Sequence, residues 1–189
     1  MSFATPSDLA VYLQREAFPA GAETTSAQLA LDIATAVVRE RTGQDFTVVA
    51  NDTVTLDTHG DEDVNLPQLP VTAVASVTTR NRGSATTTAR TVNTDYEVRG
   101  GRLRWVGAGG WPYEVTVTYS HGYATIPDDV KGATLAVAAE IYANPEGLSQ
   151  SALDDSSDRH EWTEDSPAER MLKMVERRYK HRALTVRLR

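Results

Sequence analysis

Apolar residues recur along this chain at two different periods. Within residues 130–143 they follow the helical repeat: Val130, Ala133, Thr134, Val137, Ala138 and Ile141 fall on one stripe, and Leu135, Ala139 and Tyr142 lie behind it. Only Lys131 and Glu140 are charged in that run, so a helix here is apolar nearly all round. Such a helix needs cover on more than one side, from its own chain or from another copy. Pro127 suits its first position, Asp128 and Asp129 its first turn, and Asn144-Pro145 its end. Just upstream the period is two. Val115, Val117 and Tyr119 point one way and Thr116 and Thr118 the other, as in a strand that His121-Gly122 breaks.

The same two periods divide the rest. Thr5-Pro6-Ser7-Asp8 reads as a cap opening a helix over 6–16, with Leu9, Tyr12 and Leu13 on its apolar face. Thr25 or Ser26 caps a second helix over 27–41, whose stripe is Leu29, Ile33, Ala36 and Val37 and whose stop is Gly43. From Phe46 the pattern changes to short Thr-rich segments carrying Val48, Val54, Leu56, Val64, Leu66, Val71, Val74 and Val77, with Pro67 and Pro70 at one boundary. Residues 95–98 and 102–105 make a hairpin across Gly100-Gly101, and 78–91 reads as an exposed loop or hairpin tip. Ser166-Pro167-Ala168-Glu169 is a capping box that opens a last helix. Met171, Leu172, Val175 and Tyr179 form one side of it, Arg170, Lys173, Arg177 and Lys180 the other, and Arg178 and Arg182 flank the stripe. The end, 184–189, alternates like a strand.

These elements predict an α+β fold: a helical bundle of N-terminal, central and C-terminal helices with an antiparallel β-rich insertion. The predicted division is a helical core of 1–45 and 124–145, a β insertion of 46–123, an acidic linker of 146–169, and a basic C-terminal helix and tail of 170–189. The linker buries little and is expected to order only on binding.

Charge sharpens the picture. Residues 170–189 hold eight Lys/Arg and one Glu, net +7, while the remainder holds 11 Lys/Arg and 25 Asp/Glu, net −14. That is an acidic body with a basic arm. The chain has no cysteine, which excludes disulfides and thiolate metal sites. With no apolar run of membrane-spanning length and no signal-like start, a soluble cytoplasmic protein is expected, with no membrane partner.

Candidate chemistry is sparse. Asp57, His59, Asp61 and Asp63 alternate in DTHGDED, but the spacing and terminal Glu of a calcium loop are missing. An acidic turn is the plainer reading, and no metal or cofactor is expected. His121 reads as a turn histidine bonded to backbone, since no nucleophile accompanies it. Gly107, Gly109 and Gly110 precede a strand and lack the Lys-Ser/Thr of a phosphate loop. Trp105, Trp111 and Tyr113 could line a groove, though strand aromatics more often pack a sheet. The basic arm stands out: Arg170, Lys173, Arg177, Arg178, Lys180, Arg182, Arg187 and Arg189 suit an acidic protein surface or a phosphate backbone. The acidic body argues against DNA as the main ligand. Two further readings stay open: a DNA-binding module using the C-terminal helix, and a metal-dependent enzyme with Asp57, His59, Asp61 and His121 around the ion.

Three stretches carry a resemblance: LALDIATAVVRERTGQDF from Leu29, LPQLPVTAVASVT from Leu66, and VTVTYSHGYATIPDDVKGATLAVAAEIYANP from Val115. In this order, over about residues 5–145, the chain resembles the head–tail connector (adaptor, or head-completion) proteins of long-tailed phages and gene transfer agents. The resemblance implies a structural virion protein that catalyses nothing. It implies a ring, typically dodecameric, beneath the portal protein, which extends the DNA channel and gives the next connector, stopper or tail protein a platform. Double-stranded DNA would pass without sequence-specific binding, and an acidic wall would let it slide. The basic arm would be the portal or partner interface. The protein would work at the head–tail interface of the virion, after assembly in the host cytoplasm.

Overall fold

Two kinds of local order, helical at both ends of the sequence and extended in the middle, become two units in the computed structural model, which describes residues 2–58, 60–144 and 166–180. One unit lies within Met1–Gly43 and Ile126–Lys180, the other within Gln44–Thr125. The α+β class read from the periodicity is borne out, with every paired strand antiparallel.

The helical unit holds α1 (Pro6–Tyr12), α2 (Ala22–Thr42), α3 (Asp128–Ala143) and α4 (Pro167–Tyr179). Helix α3 is its axis. Its residues 133–138 are continuously buried, and α1, α2 and α4 of the same chain supply the cover. The two charges on α3 serve the same packing. Lys131 Nζ reaches Asp8 Oδ1 of α1 at 2.7 Å, and Glu140 Oε1 accepts from the Ala168 N–H in the first turn of α4 at 3.2 Å. At the other end of α4, Arg178 and the Tyr179 hydroxyl both donate to the Asp129 carboxylate at 3.0 Å. Gly132 leaves room for Met171, whose Cε would lie 3.0 Å from a β-carbon there.

Three details differ from the sequence expectation. Helix α1 ends at Tyr12, four residues early, with its capping box between Thr5 and Asp8 intact. Helix α2 begins at Ala22 after Gly21, so neither Thr25 nor Ser26 caps it; the Thr25 hydroxyl instead donates back to the Gly21 carbonyl inside the first turn. The third concerns which face of α2 is inside. Ala27, Ala30, Leu31, Ala34, Thr35 and Val38 are buried, whereas Leu29 and Ala36 are exposed and Ile33 and Val37 half-buried. The helix carries apolar residues on two opposite sides, and period alone does not choose between them.

The β unit has two sheets around one core. The first runs β1 (Val49–Asp57), β7 (Glu114–His121), β3 (Val71–Arg80), β4 (Thr87–Arg90), and the second β2 (Asp63–Asn65), β6 (Arg102–Trp105), β5 (Tyr96–Arg99). The 95–105 hairpin is present as β5–β6, and the 78–91 stretch forms the outer half of β3 and β4 around a turn, more strand than loop. Central β7 alternates as expected, with Val115, Val117 and Tyr119 buried. They join Leu56, Val77, Leu103 and Trp111 in the core. On its other face Thr116 and Thr118 meet Thr55 and Thr53 hydroxyl to hydroxyl at 3.1 and 3.0 Å.

The LPQLP segment between β2 and β3 contains two residues without N–H donors and a cis Leu69-Pro70 bond. Two of its remaining backbone groups are matched by one buried side chain. Gln44 donates Nε2 to the Pro67 carbonyl and accepts at Oε1 from the Leu69 N–H, both at 2.8 Å. Gln68 reciprocates, accepting from the Asp45 N–H at 2.7 Å. Replacing Gln44 with alanine strands both groups and should lower stability by about 2–4 kcal/mol. Urea unfolding of Gln44→Ala beside Gln44→Glu, which keeps the acceptor and loses the donor, checks this: the glutamate variant should fall between.

Candidate interaction surfaces

The residues singled out for chemistry do not converge. Asp57 ends β1 opposite Glu114, while His121 ends β7 opposite Val49, at the far end of the same strand pair. At about 3.3 Å per residue the two lie more than about 20 Å apart. The metal-enzyme arrangement of Asp57, His59, Asp61 and His121 therefore has no common centre; His59 itself lies outside the described residues. Among the described residues no three of His, Asp and Glu gather as metal ligands. The acids of DTHGDED have other partners: Asp63 faces Arg102 at 3.5 Å, Glu62 faces Arg104 at 3.4 Å, and the Asp61 carbonyl accepts from the Trp111 N–H.

His121 corrects its sequence reading. It is buried and bonded through Nε2 to the Asp52 carboxylate at 3.3 Å, not to backbone. A bulge makes this contact. Asn51, at φ 55°, adds one residue to β1 between Val49 and Asp52, which re-aims the strand at the end of β7. Sixty-nine residues separate the partners, and no local pattern announces the pair.

Of the three aromatics Trp111 is core, Trp105 packs against it partly buried, and Tyr113 is exposed. Trp111 is buried with its indole N–H donating to the Glu62 and Leu103 carbonyls at 3.1 and 3.3 Å, and its ring lies 5.0 Å from Trp105 and 5.8 Å from Tyr96. Arg90 sits over Trp105 at 5.2 Å and Arg82 over Tyr113 at 5.6 Å, cation–π contacts that occupy those faces. Gly110, at φ 73°, passes so close to the Gly60 carbonyl that any side chain would collide, so this glycine-rich turn is a backbone crossing.

The basic helix is where the surface chemistry lies. Leu172 and Val175 of α4 are buried, Met171 and Tyr179 half-buried, and Arg170, Lys173, Arg177, Arg178 and Lys180 exposed. The Ser166 hydroxyl accepts from the Glu169 N–H, but the Glu169 carboxylate does not return to Ser166. It is buried and binds Arg41 of α2 at 2.9 Å, with Lys173 at 3.7 Å. Part of the positive charge is thus matched within the unit, as also for Arg178 with Asp129 and Lys180 with Glu176. That reduces what α4 can offer a phosphate backbone. The last helix starts over residues 166–169 as its cap predicts, so these residues, counted within the 146–169 linker, belong to α4; the rest of the linker, Arg182, Arg187, Arg189 and residues 184–189 lie outside the described residues. No described helix is long and apolar enough to cross a membrane.

Three helices packed around α3 in one unit and two antiparallel sheets in the other define a two-unit α+β protein. Neither a family model nor a curated protein matches the chain. Solved structures do match it in fold. A chain in the neck of an empty gene transfer agent (GTA) particle, computed with C6 symmetry, aligns at TM-score 0.56 and 17% identity over 98% of this chain and 91% of its own. A chain of the virion of a native GTA particle aligns at TM-score 0.53 and 18% identity, over 98% and 94%. A chain in the neck of a native particle, computed with C12 symmetry, aligns at 0.50 and 18% over the same shares. The connector resemblance read from the sequence is borne out at the level of fold, across nearly the whole chain.

The β core also carries a measurable titration. Burial pushes the Tyr119 phenol up to about 12, opposed by the Gln68 N–H that donates to its oxygen at 3.3 Å. A raised phenol binds its proton more tightly in the folded state, so its contribution is fully present below the unfolded value near 10 and is lost as pH rises from there towards 12. Stability should fall across that window in the wild type and less steeply in Tyr119→Phe. Denaturant melts at pH 9, 10.5 and 12 report it, and equal slopes for the two proteins would contradict it.

Proposed function

We propose that this chain is a subunit of a head-to-tail connector ring: a structural, non-enzymatic virion protein that attaches beneath the portal, extends the DNA channel and presents a platform to a stopper or tail protein. The observation that carries this reading is the fold shared, over 98% of the chain, with chains from GTA necks. Two of those necks were computed with C6 and C12 symmetry, and copies of one subunit about such an axis form a ring. Twelve copies is the number the family resemblance favours. The separation of Asp57 from His121 supports a role without catalysis. Net −14 outside residues 170–189 suits a channel through which DNA slides without sequence-specific binding. The protein then sits at the head–tail interface after assembly in the host cytoplasm.

In this reading the exposed bases of α4, with Arg182, Arg187 and Arg189 of the tail, form the docking face for acidic protein surface in the assembly. Like-charged bodies repel in free solution, so the chain alone is monomeric or weakly associating, and portal supplies the template. Electron microscopy of the chain mixed with portal from the same particle should show a ring of copies on the portal. A mixture in which portal stays bare and the chain sediments as monomer at every ratio overturns the reading. Reversing Arg177 and Lys180 to Glu should weaken assembly by about tenfold or more at low ionic strength, with a smaller difference at high salt and little change in melting temperature. Sedimentation at two ionic strengths measures it; unchanged assembly would make the basic face a solvated one.

A further inference from the structure

Helix α2 has a second, largely apolar seam that the described residues leave mostly exposed. Ala22, Ser26, Leu29, Ile33, Ala36 and Glu40 follow one another at steps of 4, 3, 4, 3 and 4, the spacing by which one helix presents a narrow stripe to another. The seam lies opposite the buried face of α2. Leu29 is 60% exposed, where leucine is costly to leave in water without a use. The exposed charges here are acidic, Glu40 within the seam and Asp32, which accepts from Gln28 at 3.0 Å, at its flank; Arg39, on the Asp32 side of the helix, is half-buried over the Phe3 ring. The outward face of α4 has the reverse character. Met174, 47% exposed, lies among Arg170, Lys173 and Arg177, with Arg170, Met174 and Arg177 at steps of 4 and 3. Both helices pack on α3, so their outward faces belong to the same compact helical unit, each turned away from that core.

We infer that the outer seam of α2 in one copy docks on the outer face of α4 in the next copy around the ring. The inference rests on the connector reading and names the acidic surface that the α4 bases meet. The two faces differ, one apolar and acidic, the other basic with a single methionine, so the contact is heterologous. Heterologous contacts propagate around an axis and close into a ring, whereas a self-complementary patch stops at a dimer. Leu29 and Met174 supply a small desolvated centre, and Asp32 and Glu40 opposite Lys173 and Arg177 set register and partner choice. A patch this small, at the rim of bodies of like charge, is too weak to hold free subunits together. It serves once a template has gathered them, since binding at neighbouring sites raises the local concentration to the millimolar range by about the effect of a short tether.

The cysteine-free sequence permits a clean test. The chain carrying both Leu29→Cys and Met174→Cys, assembled on portal and oxidised, should give a ladder of covalent oligomers in a denaturing gel. Either single variant should give none beyond background. Leu29→Asp should lower ring yield by about tenfold or more without altering the melt, since the position is exposed. Reversing Asp32 and Glu40 to Lys should do the same, and combining that reversal with Lys173→Glu and Arg177→Glu should restore assembly. A ring that forms from the double-cysteine chain without a ladder overturns this contact alone. So do a covalent dimer from a single-cysteine variant, which marks a self-complementary face, and protection of the M174C thiol from maleimide by double-stranded DNA in place of a ladder. Failure of the wild type to form any ring on portal overturns the connector reading and this contact with it.

Discussion

The burial of α3 is the constraint on which the helical unit depends. A helix with six consecutive buried positions has no face for water, so three other helices must be held around it. Apolar contact supplies most of the free energy but little direction. Direction comes from the few polar groups. Lys131 fixes α1 through Asp8, and the ammonium 2.7 Å away holds the Asp8 carboxyl below its ordinary value. Glu140 and Asp129 fix the two ends of α4, and Arg41 joins α2 to α4 through buried Glu169. Each pair spans two elements, so the polar groups decide which helix lies where while the apolar surface decides that helices lie there at all.

In the β unit the equivalent constraint is backbone satisfaction. Two prolines remove donors from the LPQLP turn, and the groups that remain must find partners away from a ladder. Gln44 supplies a donor and an acceptor from one amide, which is why a buried glutamine stands at the start of the unit where an apolar residue would pack equally well. The hydroxyl pairs on the outer face of β1 and β7 are a milder case. They let a sheet face stay polar and β-branched at once, neither sticky nor flexible.

On the connector reading proposed above, a subunit has to satisfy two opposed demands: a fold stable alone and an assembly that waits for its template. The division of charge suits both. On that reading acidic bodies would keep free copies apart, and the basic face of α4 is exposed but partly matched within its own unit by Asp129, Glu169 and Glu176. The net attraction available to a partner is therefore modest and salt-sensitive, which favours assembly that is reversible until many contacts form together.

The sequence by itself determined the kinds of element and their order. The switch of period near Phe46 and back after Tyr119, the caps at Thr5 and Ser166, the glycine stop at Gly43 and the apolar run of 130–143 are local signals that neighbours in the chain can read. They carried the fold class, and three of the stretches carried the connector resemblance. What only the tertiary structure decided was phase and partnership. On α2 two apolar stripes have nearly equal claims to the core, and packing in the helical unit buries Ala27, Leu31, Ala34 and Val38, which turns Leu29 and Ala36 outward. His121 found Asp52 across a bulge, and Gln44 found Pro67 and Leu69 across 23 and 25 residues. Hydrogen bonds of such separation leave no periodic trace in a single sequence, because the groups they join are set side by side only when the elements between them have packed.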